Sequence, residues 1–535
     1  MAQVSQGSTA VGVGAPGTGV SDHAMRLFYG CFASMFATSF GFIVRALLLN
    51  DFGKLMNLTE AQKGAIQGAG LFPFAISIIL FSLFIDVVGY GWIMVFAFVG
   101  HVVGTILTMM SIGPHNFQML YFGTLILALA NGAIEAVVNP VTATIFPKNK
   151  THYLNILHAG WPGGLVLGGI IVLLMPNTGT TGNIQLKLAL VLIPTVIYGI
   201  MLVGQKFPVQ ERVAAGVSYA DMMREFGAAG ALLITYFLVQ AFSTVLSVLG
   251  LPEINQLISL IIAVVVAIGF FAVYKSVGRP MFVFLLLVMI LLATTELGVD
   301  SWVTDLMTPV FGPHAGWILV YTSAIMFVLR FFAGPIVHRI NPLGLLCVCA
   351  ALACCGLFSL SMAGTGILVV LAATLYGVGK SFFWPTTLGV VSEQFPRGGA
   401  LTLNAMGGMG MIAVGVLGGP FLGTILDHNL DHNMERQHPA IHAAVAGKEV
   451  KHYGMMYQPL DKDKIAALPK DQQDQVNNVV AQTKQGSLKL VALLPATMFI
   501  CYLGLIFYFI SRGGYKTVHL TGEEASGGVV GPVEA

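Results

Sequence analysis

Long apolar stretches alternate with shorter polar segments along almost the whole chain. A helix needs about 20 mostly apolar residues to cross the hydrocarbon core of a bilayer. Fourteen stretches approach or exceed that length, so the pattern predicts an all-α polytopic membrane protein with 14 transmembrane helices. The predicted spans cover residues 25–49, 65–86, 91–112, 117–145, 155–176, 186–205, 228–250, 257–274, 281–306, 314–333, 342–362, 367–393, 400–426 and 487–511.

The composition agrees with a surface that faces lipid. Hydrophobic residues make up 56% of the chain and charged residues only 9%, whereas a soluble domain is about a quarter charged. The net charge of +2 and the absence of a long basic run argue against a nucleic-acid partner. All six cysteines fall in apolar stretches, which indicates neither a disulfide framework nor a metal site.

The positive charges of the connecting segments predict the orientation of the chain. Short cytoplasmic loops carry an excess of lysine and arginine. With the N-terminus inside, twelve such residues lie in inner segments and three in short outer loops. We therefore predict a multi-pass protein of the cytoplasmic (inner) membrane with both termini in the cytoplasm.

Two segments of the chain repeat each other. Phe146-Pro147 and Leu154-Asn155 recur as Phe395-Pro396 and Leu403-Asn404, with an offset of 249 positions in both cases. Each copy leads into a glycine-rich span, and small residues let membrane helices approach closely. Repeated halves in a membrane bundle are typical of alternating-access transporters.

The repeat and the spans together predict the domain organisation. The chain is expected to comprise a disordered cytoplasmic tail (1–24), an N-terminal six-helix bundle (25–205), a cytoplasmic linker (206–227), an inserted two-helix hairpin (228–274), a C-terminal six-helix bundle (280–511) with a long extracytoplasmic loop (427–486), and a cytoplasmic tail (512–535).

The loop after the second predicted span resembles a signature of the major facilitator superfamily. Asp86, Gly89 and Gly91 match that signature, although the basic residues that usually follow the aspartate are absent. The loop from Arg330 to Arg339 is similar to its second-half counterpart. The resemblance implies two six-helix bundles around a central pathway, a two-helix central insert as in some members, and a monomer. We assign Asp86, Arg330 and Arg339 to gating at the inner face.

The fourth span carries a narrower resemblance. Its Glu135, followed four residues later by Asn139-Pro140, resembles the fucose/proton symporter family, in which a glutamate at this place is implicated in proton coupling. Leu154-Asn155 and Leu49-Asn50-Asp51 are also similar to that family. The resemblance implies that Glu135 carries the coupled proton; the alternative is a glutamate paired for structure.

The first predicted span contains a further candidate functional residue, Arg45. An ionisable group inside a membrane costs at least about 2.5–3.5 kcal/mol to insert, which favours a functional role. In the superfamily that the chain resembles, the first and fourth spans are neighbours, so Arg45 is expected to bind Glu135 or substrate. Its alternative roles are a fixed counter-ion or a side chain that reaches outward to the interface.

Three more charges lie in spans of the second half. Glu296 and Asp300 are four residues apart, which places them on one helix face, and the repeat symmetry sets Lys380 opposite them. Together with Asn139 and Trp384, they are candidates for substrate binding, Trp384 by stacking on the carbon face of a sugar. The alternatives are a structural salt bridge, a bond between helices and packing.

These observations favour a secondary active transporter that moves a small polar solute, a sugar or sugar derivative, by proton-coupled symport. The alternative is an organic-anion transporter that uses Arg45 and Lys380 as binding cations; a neutral solute requires both to be internally paired. No nucleotide loop, zinc-protease helix or nucleophile elbow occurs, so we predict neither an enzyme nor a cofactor. The sequence leaves the direction of transport open, and sodium remains the alternative coupling ion.

Overall fold

The computed structural model describes residues 22–520 except 59, 177, 249–250, 302, 304–305, 308–311, 313–314, 365 and 453. The predicted tail 1–24 therefore lies outside the described residues apart from its last three. Within the described part, 13 helical segments are long and apolar enough to cross a membrane. The predicted all-α multi-pass architecture is confirmed. The count of 14 is not, because the tenth predicted span corresponds to a helix of only 15 residues, Gly316–Arg330.

The first half contains eight helices that form six spans. The second and sixth predicted spans each consist of two successive helices. Asn116 caps the fifth helix, where its side chain accepts a hydrogen bond from the Met119 amide at 2.9 Å. The helices are α1 (Asp22–Met56), α2 (Glu60–Ala69), α3 (Phe72–Val88), α4 (Tyr90–Ile112), α5 (Phe117–Ile145), α6 (Lys150–Leu174), α7 (Thr181–Ala189) and α8 (Leu192–Leu202).

Glycines allow the helices of this half to approach closely. A Cβ atom added at Gly104 of α4 would lie 2.9 Å from the Gly123 carbonyl oxygen of α5, too close for any side chain. A Cβ at Gly164 of α6 would likewise collide with Ser39 of α1. The glycine-rich sequence thus brings α6 against α1 at backbone distance, as small residues do in membrane bundles.

The halves are joined by a linker helix and a hairpin. The short helix α9 (Glu211–Ala214) precedes α10 (Tyr219–Val248) and α11 (Gln256–Tyr274), which pack against each other. Only 11% of the apolar stretch of α11 is buried inside the protein, so most of this helix faces outward. Such a surface suits contact with lipid and leaves α11 outside the centre of the bundle.

The second half repeats the helical arrangement with two irregular turns. π-Helical turns at Thr294–Gly298 and Val414–Gly418 interrupt its first and fifth spans, and such turns often occur at functional sites. The helices are α12 (Pro280–Ala293), α13 (Gly316–Arg330), α14 (Ala333–Met362), α15 (Gly366–Lys380), α16 (Phe383–Gln394), α17 (Gly399–Ala413), α18 (Gly419–Gln437) and α22 (Leu493–Ser511).

The predicted loop 427–486 is largely folded. Gln485 anchors it to the second half by donating hydrogen bonds to the carbonyl oxygens of Leu360 and Ala363 at 3.1 and 2.6 Å. Its small core contains Met434, Ile441, Val445, Val476 and Val479. Beyond the end of α18, its elements are α19 (Pro439–Val445), the antiparallel strands β1 (Val450–His452) and β2 (Met455–Tyr457), α20 (Lys462–Ala466) and α21 (Lys470–Val491).

The two halves meet along α6 with α13 and α16, and along α3 with α17. A Cβ at Gly163 of α6 would lie 2.9 Å from the Phe327 ring of α13, and one at Gly408 of α17 would lie 2.7 Å from Ile79 of α3. Between these two contacts, at the centre of the boundary between the halves, lie the side chains described next.

Candidate functional site

Glu135 is held in a buried chain of hydrogen bonds. The residue lies in α5 and is 3% exposed. The Asn139 Nδ2 donates to Glu135 Oε1 at 3.3 Å, and the Asn139 Oδ1 lies 2.8 Å from His158 Nε2. Since the amide oxygen can only accept, this orientation of Asn139 places a proton on His158 Nε2. His158 thereby fixes the residue that contacts the carboxyl.

Arg330 joins this chain to the second half. Its Nη1 donates to the His158 carbonyl oxygen at 2.5 Å, its Nη2 to Glu296 Oε1 at 3.1 Å, and its Nε to the Ser381 carbonyl oxygen at 2.7 Å. The side chain is 1% exposed. The sequence grouped Arg330 with the inner-face gate, but the structure places it between the halves, in contact with Glu296.

A cavity lies between Glu135 and Glu296. Its empty volume, which includes space open to solvent, is about 330 Å³. Two indole rings, one from each half, contribute flat apolar walls. The lining residues are Met35, Phe74, Glu135, His158, Trp161, Glu296, Leu297, Arg330, Trp384 and Met411.

The two second-half carboxylates bind different cations. Asp300 pairs with Lys380, whereas Glu296 pairs with Arg330. Lys380 is fully buried, and its Nζ lies 5.2 Å from the centre of the Tyr376 ring. Of the two carboxylates predicted to face Lys380, Asp300 forms the ion pair, while Glu296 lies within electrostatic range of the lysine and is bonded to Arg330. Lys380 and Asp300 are absent from the described cavity lining.

Arg45 lies one layer away from the cavity. The residue is 8% exposed, and its guanidinium packs against Gly70, with the Cζ 5.3 Å from the centre of the Phe42 ring. The Phe42 ring in turn lies 5.7 Å from that of Trp161, which lines the cavity. Among the described residues, no ion pair joins Arg45 to Glu135 or to another carboxylate.

The end of the bundle where α1 begins and α22 ends, here called the terminal face, carries Asp86. This residue pairs with Arg212 of the linker, and the adjacent Gln210 amide, oriented to satisfy both neighbours, donates to Asp86 Oδ1 at 2.7 Å and accepts from the Ala400 amide. Arg339, the third predicted gate residue, is exposed and forms no ion pair within the described part of the chain.

Polar contacts between the halves extend across this face. The Lys150 Nζ lies 2.6 Å from Glu211 Oε2 and donates to the Ser392 carbonyl oxygen at 3.3 Å. Thr151 Oγ1 donates to Glu393 Oε1 at 2.5 Å. The first turn of α6 is thus bonded both to the linker and to α16 of the other half.

Sequence reasoning missed His158 and Trp161 in the cavity. Both follow the Leu154-Asn155 motif by one or two helical turns, so the repeat itself pointed towards them. The repeat also relates Trp384 to Glu135, since 384 minus 135 is 249. No sequence repeat pointed to the linker residues at the terminal face.

Comparisons with known proteins agree with this architecture. The family model of the Major Facilitator Superfamily matches residues 27–416. No curated protein matches the sequence. Solved structures with the same fold include the E. coli fucose:proton symporter, 14% identical, with 90% of this chain and 99% of that chain covered and a TM-score of 0.57.

Two further structures show the same likeness. The proton:xylose symporter of E. coli is 13% identical over 95% of this chain and 99% of its own, with a TM-score of 0.60. A human organic anion transporter is 12% identical over 90% of this chain and 99% of its own, with a TM-score of 0.56. With the family matched over most of its length and the fold shared, this chain belongs to the Major Facilitator Superfamily and is a membrane transporter, not an enzyme.

Proposed function

We propose that the protein is a proton-coupled symporter for a small neutral polar solute, a sugar or sugar derivative. The observation that carries the proposal is the position of Glu135, buried at the wall of a cavity that both halves line. An ionised carboxylate is costly in such a place, and a proton removes that cost. Glu135 is therefore the residue that takes up and releases the coupled proton.

The pairing of the other charges supports a neutral solute. Arg330 is bonded to Glu296, and Lys380 is bonded to Asp300. Two of the buried cations of the second half are thus already neutralised by carboxylates of the protein. A solute with hydroxyl groups needs no additional counter-charge, and the Trp161 and Trp384 rings offer it flat apolar surfaces. The names of two of the similar structures, a fucose and a xylose symporter, favour the same class.

Alternating access would use the terminal face as one gate. We place that face in the cytoplasm and the protein in the inner membrane, as the distribution of positive charge predicts. The pairs Asp86–Arg212 and Lys150–Glu211 would hold this face closed while the opposite side admits solute. Such pairs would favour the conformation in which they form.

An organic anion is the second candidate, supported by the likeness to the human organic anion transporter and by Arg45, which forms no ion pair with another described residue. In that case Lys380 must leave Asp300 to bind the anion. This exchange distinguishes the two functions, because a neutral solute leaves the Lys380–Asp300 pair intact.

The test is uptake of radiolabelled neutral sugars and small organic anions into proteoliposomes, with and without an inward proton gradient. We expect a sugar to accumulate only with the gradient, and Glu135→Gln to abolish accumulation while keeping exchange. Glu225→Gln is the matched control, since Glu225 pairs with Arg279 away from the cavity. Gradient-driven accumulation by Glu135→Gln at the wild-type level would refute the proton role, and uptake of anions alone would favour the second candidate.

A further inference from the structure

One oxygen of Glu296 has no partner. Its Oε1 accepts a hydrogen bond from Arg330, but its Oε2 is buried without a hydrogen bond in the described part of the chain. The whole residue is 2% exposed. The Trp384 backbone amide also approaches this carboxyl.

A buried acceptor without a donor is unusual in a folded protein. Most buried polar atoms are bonded, and leaving one unsatisfied costs about 1–3 kcal/mol, more for a charged group. Glu296 also lines the cavity and lies in the π-helical turn Thr294–Gly298, an irregular turn of the kind found at functional sites. The missing donor is therefore expected from whatever occupies the cavity.

The surrounding charges restrict what the occupant can be. A carboxylate oxygen only accepts, so the occupant must supply an O–H or N–H group. The cation that lines the cavity, Arg330, is already engaged through all three of its nitrogens, by Ser381, His158 and Glu296. An incoming carboxylate would meet the Glu296 carboxylate, to which the lining cation Arg330 is already paired.

We infer that Glu296 Oε2 binds a hydrogen-bond donor of the substrate, a hydroxyl or an ammonium group, and that the cavity discriminates against carboxylates. This inference rests on the proposed function, because it assigns the substrate class of the same cavity. It adds a prediction about substrate selectivity. Acid derivatives of a transported sugar are excluded because their charge has the same sign as that of the Glu296 carboxylate.

Binding to the purified full-length protein tests the inference independently of proton coupling. The two lining tryptophans provide a fluorescence signal for a panel of neutral sugars, their deoxy analogues lacking one hydroxyl each, the matching aminodeoxy sugars and the matching sugar acids. For the wild type we expect one deoxy analogue, and the acids, to bind about tenfold more weakly than the parent sugar. Tighter binding of the aminodeoxy sugar than of the parent would identify an ammonium group as the donor.

Glu296→Gln should narrow the gap between the parent sugar and that deoxy analogue to about threefold, because a neutral amide forms a weaker hydrogen bond with a hydroxyl than a carboxylate does. Glu225→Gln is the control, since Glu225 pairs with Arg279 away from the cavity and its change should keep the gap. If Glu296→Gln does not fold, the analogue series on the wild type still decides. Preferential binding of the acids, equal binding of all deoxy analogues, or binding of no member of the panel would overturn the inference.

Different results would refute the proposed proton-coupled symport and the proposed role of Glu296. Gradient-driven sugar uptake with an analogue pattern that Glu296→Gln leaves unchanged refutes the role of Glu296 and keeps the symporter. The expected analogue pattern together with uptake that ignores the gradient and Glu135→Gln refutes proton coupling and keeps the role of Glu296.

Discussion

Asn155 and Asn404, which are 249 positions apart, make equivalent hydrogen bonds across the boundary between the halves. The Asn155 Nδ2 donates to Thr386 Oγ1 at 3.1 Å, and the Asn404 Nδ2 donates to the Ala136 carbonyl oxygen at 2.9 Å. In both residues the Oδ1 is buried without a hydrogen-bond partner in the described part of the chain. The sequence repeat thus corresponds to a repeated contact.

Asn155→Ala and Asn404→Ala should each open the terminal face. A neutral hydrogen bond contributes about 1 kcal/mol, so each change is expected to shift the ratio of closed to open states by roughly fivefold. Spin labels at Lys148 and His338, on opposite halves, would report the change as a longer distance in a larger fraction of molecules. Equal distance distributions in wild type and both variants would contradict a closing role.

Asp86→Asn should destabilise the closed state, and Arg212→Gln should have the same effect because the two side chains form one pair. The effects are expected to be non-additive: the double variant should lose about as much as either single variant. The same spin labels measure the population. Arg339→Gln is the control, since this exposed residue forms no ion pair in the described structure. Full additivity would show that the pair is not a functional unit.

Lys380→Gln should destabilise the protein more than the double change with Asp300→Asn. Removing one partner of a buried pair leaves an uncompensated charge and costs roughly 3–5 kcal/mol, whereas removing both costs far less. The melting temperature in detergent measures this. Under the neutral-solute proposal, the double variant also keeps sugar uptake, and loss of uptake with a wild-type melting temperature would instead place Lys380 at the substrate.

His158→Ala should weaken coupling while it keeps exchange of solute. Without the ring, Asn139 loses the contact that orients it towards Glu135. We expect gradient-driven accumulation to fall about tenfold and the number of protons moved per solute to decrease, with His158→Gln restoring part of both through its side-chain amide. A variant with unchanged proton stoichiometry would show that His158 only fills space.

Tyr515→Phe should loosen the terminal face. The Tyr515 hydroxyl donates to Glu393 Oε2 at 2.8 Å, and Glu393 also accepts from Thr151 of the other half. Burial and the Glu393 carboxylate raise the pKa of Tyr515 well above its ordinary value. The phenol therefore stays protonated as the pH rises to about 10, and the wild-type label distances should be constant from pH 7 to 10. A change in that range would contradict a retained hydrogen bond.

The sequence predicted the spans because apolar length is a local property, and it pointed to Glu135 because the surrounding motif is contiguous. It could not assign the pairs, since the partners of Glu296 and Asp300 depend on how α12, α13 and α15 pack. Arg330 was assigned to the gate from its loop, yet it is drawn inward by three acceptors that lie far apart in the chain. The role of Arg212 could not be predicted from the sequence. This residue lies in a linker far along the chain from Asp86, and it takes the place of the basic residues that the signature normally supplies beside the aspartate.

The π-helical turn at Thr294–Gly298 makes this site depend on the number of residues as well as on their identity. A π-turn contains one residue more than the α-turn it replaces. If the same residues formed a regular α-helix, everything that follows would be rotated by roughly 100° relative to what precedes. Asp300 would then turn away from Lys380 although no side chain of either pair had been exchanged. The width of this single helical turn therefore sets which side chains of the span face the site.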